Sequence, residues 1–268
     1  MSDPHSADHI SIGTLRRELA DFLAEMFPQF EVTEQRDDSL IAVGPEGGEH
    51  QLFFGNIHSA INSLVENTPE KRREIYDSFT RAMTSTESLL DSTAERLAKQ
   101  LMPRIIHIDQ LRGMVSQVDV PIPHRTLGAM PLVAVYVIDL PESVAFVNAD
   151  TAAKLEMKEP DMYQRSLHNL DPEGVFSNNV REFKSGHIAV VKTGDSFDAA
   201  RLLLVPPAMP DNTIICAAIP DRDTLVLAVL EDDSVFEAVD QMAKIPGGER
   251  IIYDQAIEVR PTGFSIRA

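Results

Sequence analysis

The stretch that decides the fold is TIICAAIPDRDTLVLAVL, residues 213–230. Its first apolar run, 213–219, predicts a buried strand that ends at Pro220. A second apolar run begins directly after the charged triplet at 221–223. Nowhere else in the chain do charged residues lie directly between two core segments. The triplet is therefore the first place to look for a site.

The composition indicates an ordinary globular chain of two units. A length of 268 residues is long for one compact core and suits two. The hydrophobic fraction of 43% and the charged fraction of 25% are typical of globular proteins. A predicted helix ends before Pro103, which marks a natural boundary. We expect an N-terminal α+β unit over residues 1–102 and a larger mixed-sheet α+β unit over residues 103–268.

The N-terminal unit is predicted to contain a helix, an antiparallel meander and further helices. Ser11 is placed to cap the first helix, whose apolar residues recur at spacings of three and four. Three short strands follow, and the Gly-rich segment 44–48 predicts the turn between the latter two. Thr68 and Pro69 suit the cap and the first position of a later helix.

The C-terminal unit is predicted to be built on a mixed β-sheet with helices. The nearly continuous apolar run 132–138 predicts a strand buried on both faces, and 144–147 predicts its hairpin partner. Further strands are predicted at 188–191 and 225–230. The fold class is therefore α+β. The pattern leaves open whether strands 132–138 and 213–219 are adjacent and parallel.

Charge and cysteine content limit the classes of function. The net charge of −18, from 24 basic and 42 acidic residues, repels phosphate backbones and anionic lipid. We therefore expect no nucleic-acid and no membrane partner. The single Cys216 cannot form an intrachain disulfide, and its apolar neighbours predict an inert core thiol. The N-terminus lacks the features of a secretory signal, so we expect an acidic cytoplasmic protein.

Four segments carry a family resemblance: YVID with FV at 136–147, SLHNL at 166–170, AARLLL at 199–204 and AIPDRD at 218–223. In this order they resemble the bacterial YtpQ-like family, with a looser match in LFFGNI at 52–57. Where that family has Pro-Asn-Arg-Asp, this chain has Pro-Asp-Arg-Asp. The resemblance implies a bacterial cytoplasmic protein and implies no particular activity.

The sharpest candidates for a site are Asp221 and Asp223. Residues two apart on an extended segment lie on the same side, where two carboxylates suit Mg²⁺ or shared-proton chemistry. Asp139 ends the 132–138 strand. If that strand is a parallel neighbour of 213–219, the three carboxylates meet at one sheet edge, and if the two are antiparallel they do not. The competing interpretation is a structural corner held by ion pairs around Arg222.

Arg201 is the other charged candidate. It lies among small apolar residues of a helix predicted from 197 to 204, which Asp195 or Ser196 is placed to cap. A charge in such surroundings needs a partner, and we expect Asp221 or Asp223 to supply it.

Motifs typical of enzymes are missing from the sequence. It contains no phosphate loop, no dinucleotide fingerprint, no HExxH, no CxxC and no GxSxG. His5 and His9 have metal-ligand spacing but lie in a predicted tail with no third ligand nearby. We therefore expect a non-enzymatic interaction or accessory protein that has a protein partner and no cofactor.

The alternative is a metal-assisted hydrolase or phosphotransfer-like enzyme. In that hypothesis Asp139, Asp221 and Asp223 hold Mg²⁺ or Mn²⁺, and Arg201 or Arg222 binds the charge of the substrate.

Overall fold

The computed structural model describes residues 10–44, 49–62, 64, 66–87, 92–118, 120–141, 143–245 and 251–267. Contacts divide the chain into two compact units, Met1–Ser92 with Leu140–Val144, and Thr93–Asp139 with Ala145–Ala268. The predicted tail with His5 and His9, and most of the predicted turn at 44–48, lie outside the described residues. The α+β class is confirmed by helices and antiparallel sheets throughout the described chain.

The first unit packs helices against a small antiparallel sheet. Its strands pair in the order β1-β2-β3. Its elements are α1 (Ile12–Met26), β1 (Glu31–Gln35), β2 (Ser39–Val43), β3 (Glu49–Phe53), α2 (Phe54–Asn62) and α3 (Pro69–Glu87). Both predicted caps are confirmed: the Ser11 hydroxyl accepts from the Thr14 N–H, and the Thr68 hydroxyl accepts from the Lys71 N–H.

A partly buried ion pair joins two helices of this unit. Arg72 on α3 donates to the carboxylate of Glu18 on α1 at 2.8 Å, and the Tyr76 hydroxyl donates to the same carboxylate at 2.9 Å. Burial raises the pKa of Glu18, but these hydrogen bonds outweigh it and lower that pKa overall. The carboxylate is therefore a structural acceptor between the helices.

The remaining elements follow in chain order. They are α4 (Ala94–Lys99), β4 (Leu101–His107), α5 (Ile108–Val118), β5 (His124–Thr126), β6 (Leu132–Leu140), β7 (Ser143–Phe146), α6 (Ala149–Leu155), α7 (Glu159–Leu170), α8 (Val175–Arg181), β8 (Ile188–Val191), a 3₁₀ helix (Ala199–Leu204), α9 (Val205–Ala208), β9 (Ile215–Ala218), β10 (Leu225–Val229), α10 (Asp233–Ala243), β11 (Ile257–Arg260) and β12 (Gly263–Ser265).

These strands form two separate antiparallel sheets, which corrects the expectation of one mixed sheet. One sheet has the order β4-β6-β5 with β7 paired to β6, and the other is five-stranded in the order β12-β11-β9-β10-β8. A parallel pair needs a crossover of a dozen or more residues. The short segment 219–224 joins β9 directly to β10, so these strands can only pair antiparallel. The predicted strands 132–138 and 213–219 correspond to β6 and β9, which belong to different sheets.

The central strands β9 and β10 of the five-stranded sheet are buried on both faces, because their alternate side chains belong to different cores. Leu225 and Leu227 of β10 lie in the larger core with the 3₁₀ helix. Val226 and Ala228 lie on the opposite face, which α10 covers. Cys216 belongs to this second face and is fully buried.

Burial fixes the chemistry of Cys216. It raises the pKa of the thiol from 9.0 to about 12, and the charges of Asp240 and Glu258 act in the same direction. We expect the folded protein to react with a disulfide dye at pH 8 at least a hundred times more slowly than the urea-unfolded protein, because the thiolate is the reactive form. Absorbance of the released dye measures both rates. Fast reaction of the folded chain would contradict the described burial.

Candidate functional site

A buried ionic cluster lies beside the five-stranded sheet. Arg201, on the 3₁₀ helix, is only 8% exposed. It donates to Asp195 at 2.6 Å and 3.0 Å, and to Asp198 at 3.1 Å. Asp198 is fully buried and accepts two hydrogen bonds from the Thr193 N–H and one from the Thr193 hydroxyl. The cluster thus holds the loop between β8 and the 3₁₀ helix.

These partners of Arg201 correct the sequence analysis, which expected Asp221 or Asp223. Asp195 and Asp198 precede the arginine by six and three residues, so a tight loop brings them to it locally. The prediction that Asp195 or Ser196 caps this helix is wrong, because the helix begins at Ala199, directly after Asp198. Asp195 accepts from the Phe197 N–H at 3.0 Å within the preceding loop. The helix and the 221–223 loop are joined through the backbone instead, where the Ala199 N–H donates to the Arg222 carbonyl at 3.1 Å.

Asp221 and Asp223 form a compact corner after β9. Asp221 is buried, and its carboxylate accepts from the Asp223 N–H at 2.9 Å. Asp223 accepts from the side chain of Arg222 at 3.1 Å, where both side chains are partly exposed. The other carboxylate oxygen of Asp223 is buried and has no hydrogen-bond partner among the described residues. The geometry matches the structural corner that the sequence left as the competing interpretation.

Asp139, at the end of β6, is not brought into a metal-binding group with this corner. The condition for a three-carboxylate cluster, parallel neighbouring strands, is not met. Within the described ranges, no three His, Cys, Asp or Glu side chains are placed to hold a metal ion. Asp139 does lie near Asp195: burial raises the pKa of Asp139, and the charge of Asp195 raises it further.

Arg104 on β4 is a charged residue of this region that the sequence analysis did not single out. Its guanidinium lies 6.0 Å from the ring centre of Phe146. Burial lowers the pKa of Arg104, the neighbouring charge of Arg222 lowers it further, and Asp223 opposes the shift. The apolar neighbours of Arg104 along β4 gave no signal that two arginines approach each other here.

An apolar pocket of about 360 Å³ opens between α8 and the edge of the five-stranded sheet. This volume lies within the range of natural binding pockets. Most of the lining is apolar, and the ionic cluster supplies its polar end through Arg201. The lining residues are Leu170, Asp171, Val175, Phe176, Asn179, Val180, Phe183, Ala189, Val191, Thr193, Arg201 and Leu227.

Three of the four polar residues that line the pocket are already engaged by the protein itself, and the side chain of the fourth, Asn179 on α8, makes no hydrogen bond with a described residue. Asp171 accepts from the N–H groups of Phe176 and Ser177 and from the Ser177 hydroxyl. Thr193 and Arg201 are held in the ionic cluster. A pocket that fixes and activates a small polar substrate needs free donors and acceptors directed inward. Asn179 alone among the described lining residues offers them, so this pocket instead suits a mainly apolar group.

Strand β8, which forms one wall of the pocket, is an edge strand. Among the described residues it pairs only with β10, in antiparallel register. Ala189 and Val191 line the pocket, whereas Ile188 and Val190 lie on the other face and are 49% and 50% exposed. An edge strand with apolar side chains on both faces and unpaired backbone groups is a template for another strand.

The sequence contained part of this site. Residues 188–191 were correctly predicted as a strand, but nothing in four apolar residues tells an edge strand from a central one. Phe176 and Phe183, which line the pocket, are seven residues apart and would have suggested a shared apolar surface. Of the ionic partners of Arg201, Asp195 was predicted only as a possible cap, and Asp198 was not singled out.

Comparison of the chain with protein-family models, with curated proteins and with solved structures gave no match. The resemblance to the YtpQ-like family therefore stays a prediction. Over the part of the chain that the structure describes, no helix has both the length and the apolar character that crossing a bilayer requires.

Replacing Arg201 with Ala should destabilise the protein strongly. The change leaves the fully buried Asp198 without its cation, and breaking a buried pair in this way costs roughly 3–5 kcal/mol. Arg222→Ala is the matched control, because its ion pair with Asp223 is exposed and contributes at most about 1 kcal/mol. Urea unfolding at pH 7 measures both variants. Equal losses would show that the cluster does not hold the fold.

The cluster should also shape the acid stability of the protein. Burial would raise the pKa of Asp195, but its hydrogen bonds with Arg201 and the Phe197 N–H lower it from 3.8 to about 2. Because the folded pKa lies below the unfolded one, this carboxylate stabilises the fold fully above pH 4. That contribution is lost as the pH falls through 2. Asp195→Asn should therefore lower stability at pH 7, with the difference from wild type shrinking below pH 4.

Asp139→Asn is the control for that measurement, because its effect on stability at pH 7 should have the opposite sign. The folded pKa of Asp139 is raised, so its charged form opposes folding, and its contribution is lost as the pH rises through that pKa. The variant should be as stable as wild type or more stable at pH 7. Urea unfolding from pH 2 to 7 follows all three proteins. Parallel losses in both variants at pH 7 would contradict the assignment of the charges.

Proposed function

We propose that the chain is a non-enzymatic interaction protein whose second unit binds a partner protein at the pocket between α8 and β8. The observation that carries the proposal is the apolar pocket of about 360 Å³, whose Asp171, Thr193 and Arg201 are already bonded internally. Apolar pockets of this kind receive the anchor side chains that dominate binding energy at protein interfaces.

The rim of the pocket supports a protein partner over a small apolar ligand. Val175 on α8 is 57% exposed at the mouth, and Ile188 and Val190 add exposed apolar surface on the other side of β8. Exposed apolar side chains around a pocket are typical of interaction surfaces. A small ligand enclosed in the pocket would leave them uncovered.

A charge placed at the pocket mouth should abolish partner binding. Val175→Glu introduces a carboxylate at an exposed helix position, so the fold tolerates it while the apolar contact is lost. Immobilised wild-type protein should recover a partner in about equimolar amount from native lysate, and the variant at least tenfold less. The measurement is quantitative mass spectrometry of the captured proteins.

Val115→Glu provides the matched control, because Val115 is an exposed valine on helix α5 and is not part of the pocket lining. It should recover the partner as wild type does. The proposal fails if no partner is recovered in stoichiometric amount, or if Val175→Glu and wild type recover it equally.

A further inference from the structure

Building on the proposed function, we propose that the partner presents an extended, acidic-flanked segment that adds as a strand to the edge of β8 where no described strand pairs. One apolar side chain of this segment enters the pocket. Main-chain hydrogen bonds to an exposed sheet edge give such complexes their affinity, and pockets for alternate side chains give them specificity.

The side chains of β8 alternate between the two faces of the sheet, so both faces of an added strand would have apolar neighbours. Ala189 and Val191 lie opposite Leu227 and Leu225 on the pocket face. Ile188 lies opposite Ala228 on the face that α10 covers, but remains half exposed. Because side chains alternate along a strand, a segment paired with β8 would direct one side chain toward the pocket and its neighbours toward Ile188 and Val190.

The small side chain of Ala189 makes room for the anchor. It forms part of the pocket wall next to the larger Phe176 and Phe183 of the α8 region. An added strand would lie about 4.8 Å from β8, so its side chain on that face reaches the cavity directly. An aliphatic or aromatic anchor would thus be buried without any movement of the sheet.

The charges around β8 select an acidic partner. In a chain of net charge −18, the segment 181–192 carries three cations, Arg181, Lys184 and Lys192, and one acid, Glu182. All three cations are exposed and form no ion pair with a described residue. Carboxylates at the two ends of an added segment would meet them, which gives complementarity and faster association.

The same charges argue against a second copy of the chain as the occupant. Two β8 edges paired with each other would bring identical cationic segments together, and like charges placed opposite each other destabilise strand pairing. A partner segment with carboxylates at these positions avoids that cost.

The test uses fluorescein-labelled nine-residue peptides with Glu residues at both ends, alternating Val and Thr in the middle, and one central anchor that is Leu, Met or Phe. Each peptide is made unmodified and in two N-methylated forms, one blocking odd and one blocking even backbone positions. Fluorescence anisotropy measures binding to the full chain. We expect at least one anchor to bind, and only one N-methylation pattern to weaken it tenfold or more, because alternate N–H groups point toward β8.

Lysine variants test the preference for an acidic partner separately from strand addition. Lys184→Glu with Lys192→Glu should weaken the peptide about fivefold or more, whereas Lys158→Glu, an exposed lysine outside the 181–192 segment, should leave it unchanged. Equal binding by the double variant would overturn the acidic-partner assignment. If no anchor peptide binds at about 1 mM, strand addition is overturned.

Failure of strand addition can be told apart from failure of the pocket function. If both N-methylated forms bind as the unmodified peptide does, while Val175→Glu still weakens all of them, the pocket binds an anchor without a strand. The inference then falls and the proposed function stands. If Val175→Glu has no effect and one N-methylation pattern abolishes binding, strand addition stands and the pocket function falls.

Discussion

The second unit depends on one buried ionic contact, the guanidinium of Arg201 against the carboxylates of Asp195 and Asp198. Asp198 is fully buried, so its charge is tolerated only because Arg201 and the N–H and hydroxyl of Thr193 satisfy it. The loop from Thr193 to Asp198 follows β8 directly and leads into the 3₁₀ helix. The cluster therefore fixes the end of the edge strand to the core, and with it the polar end of the pocket.

A pocket held in this way is formed before any partner arrives. Binding to a preformed surface avoids the entropic cost of ordering a loop, so more of the contact energy appears as affinity. The same contacts explain why the acidic residues of the region are poor candidates for chemistry. Asp195, Asp198, Asp171 and Asp221 each accept hydrogen bonds from nearby groups of the chain, and these bonds hold loops and helix ends. Their carboxylates serve the fold.

Local features were predictable from the sequence, and features set by long-range contacts were not. The helix starts at Ser11 and Thr68 follow from cap chemistry that acts within three residues. The strands at 132–138 and 188–191 follow from continuous apolar runs. The assignment of those strands to separate sheets depends on pairing between distant segments, which an apolar run does not encode.

The candidate site shows the same division. A buried arginine was correctly expected to need a carboxylate, but the partners named were Asp221 and Asp223, whereas the loop before the 3₁₀ helix brings the nearer Asp195 and Asp198 to Arg201. β8 is an edge strand because no described strand pairs with its outer side, and Val190 is exposed because α10 packs against β9 and β10. No local pattern in the sequence shows which strands a helix packs against and which it leaves exposed.

The most direct measurement is residue-resolved amide hydrogen exchange of β8, Ile188–Val191, with and without a bound acidic-flanked peptide. If a partner strand pairs with this edge, alternate amides of β8 that exchange rapidly in the free protein should become at least tenfold slower, because they gain hydrogen bonds. Binding of the peptide with unchanged exchange along β8 would contradict the account.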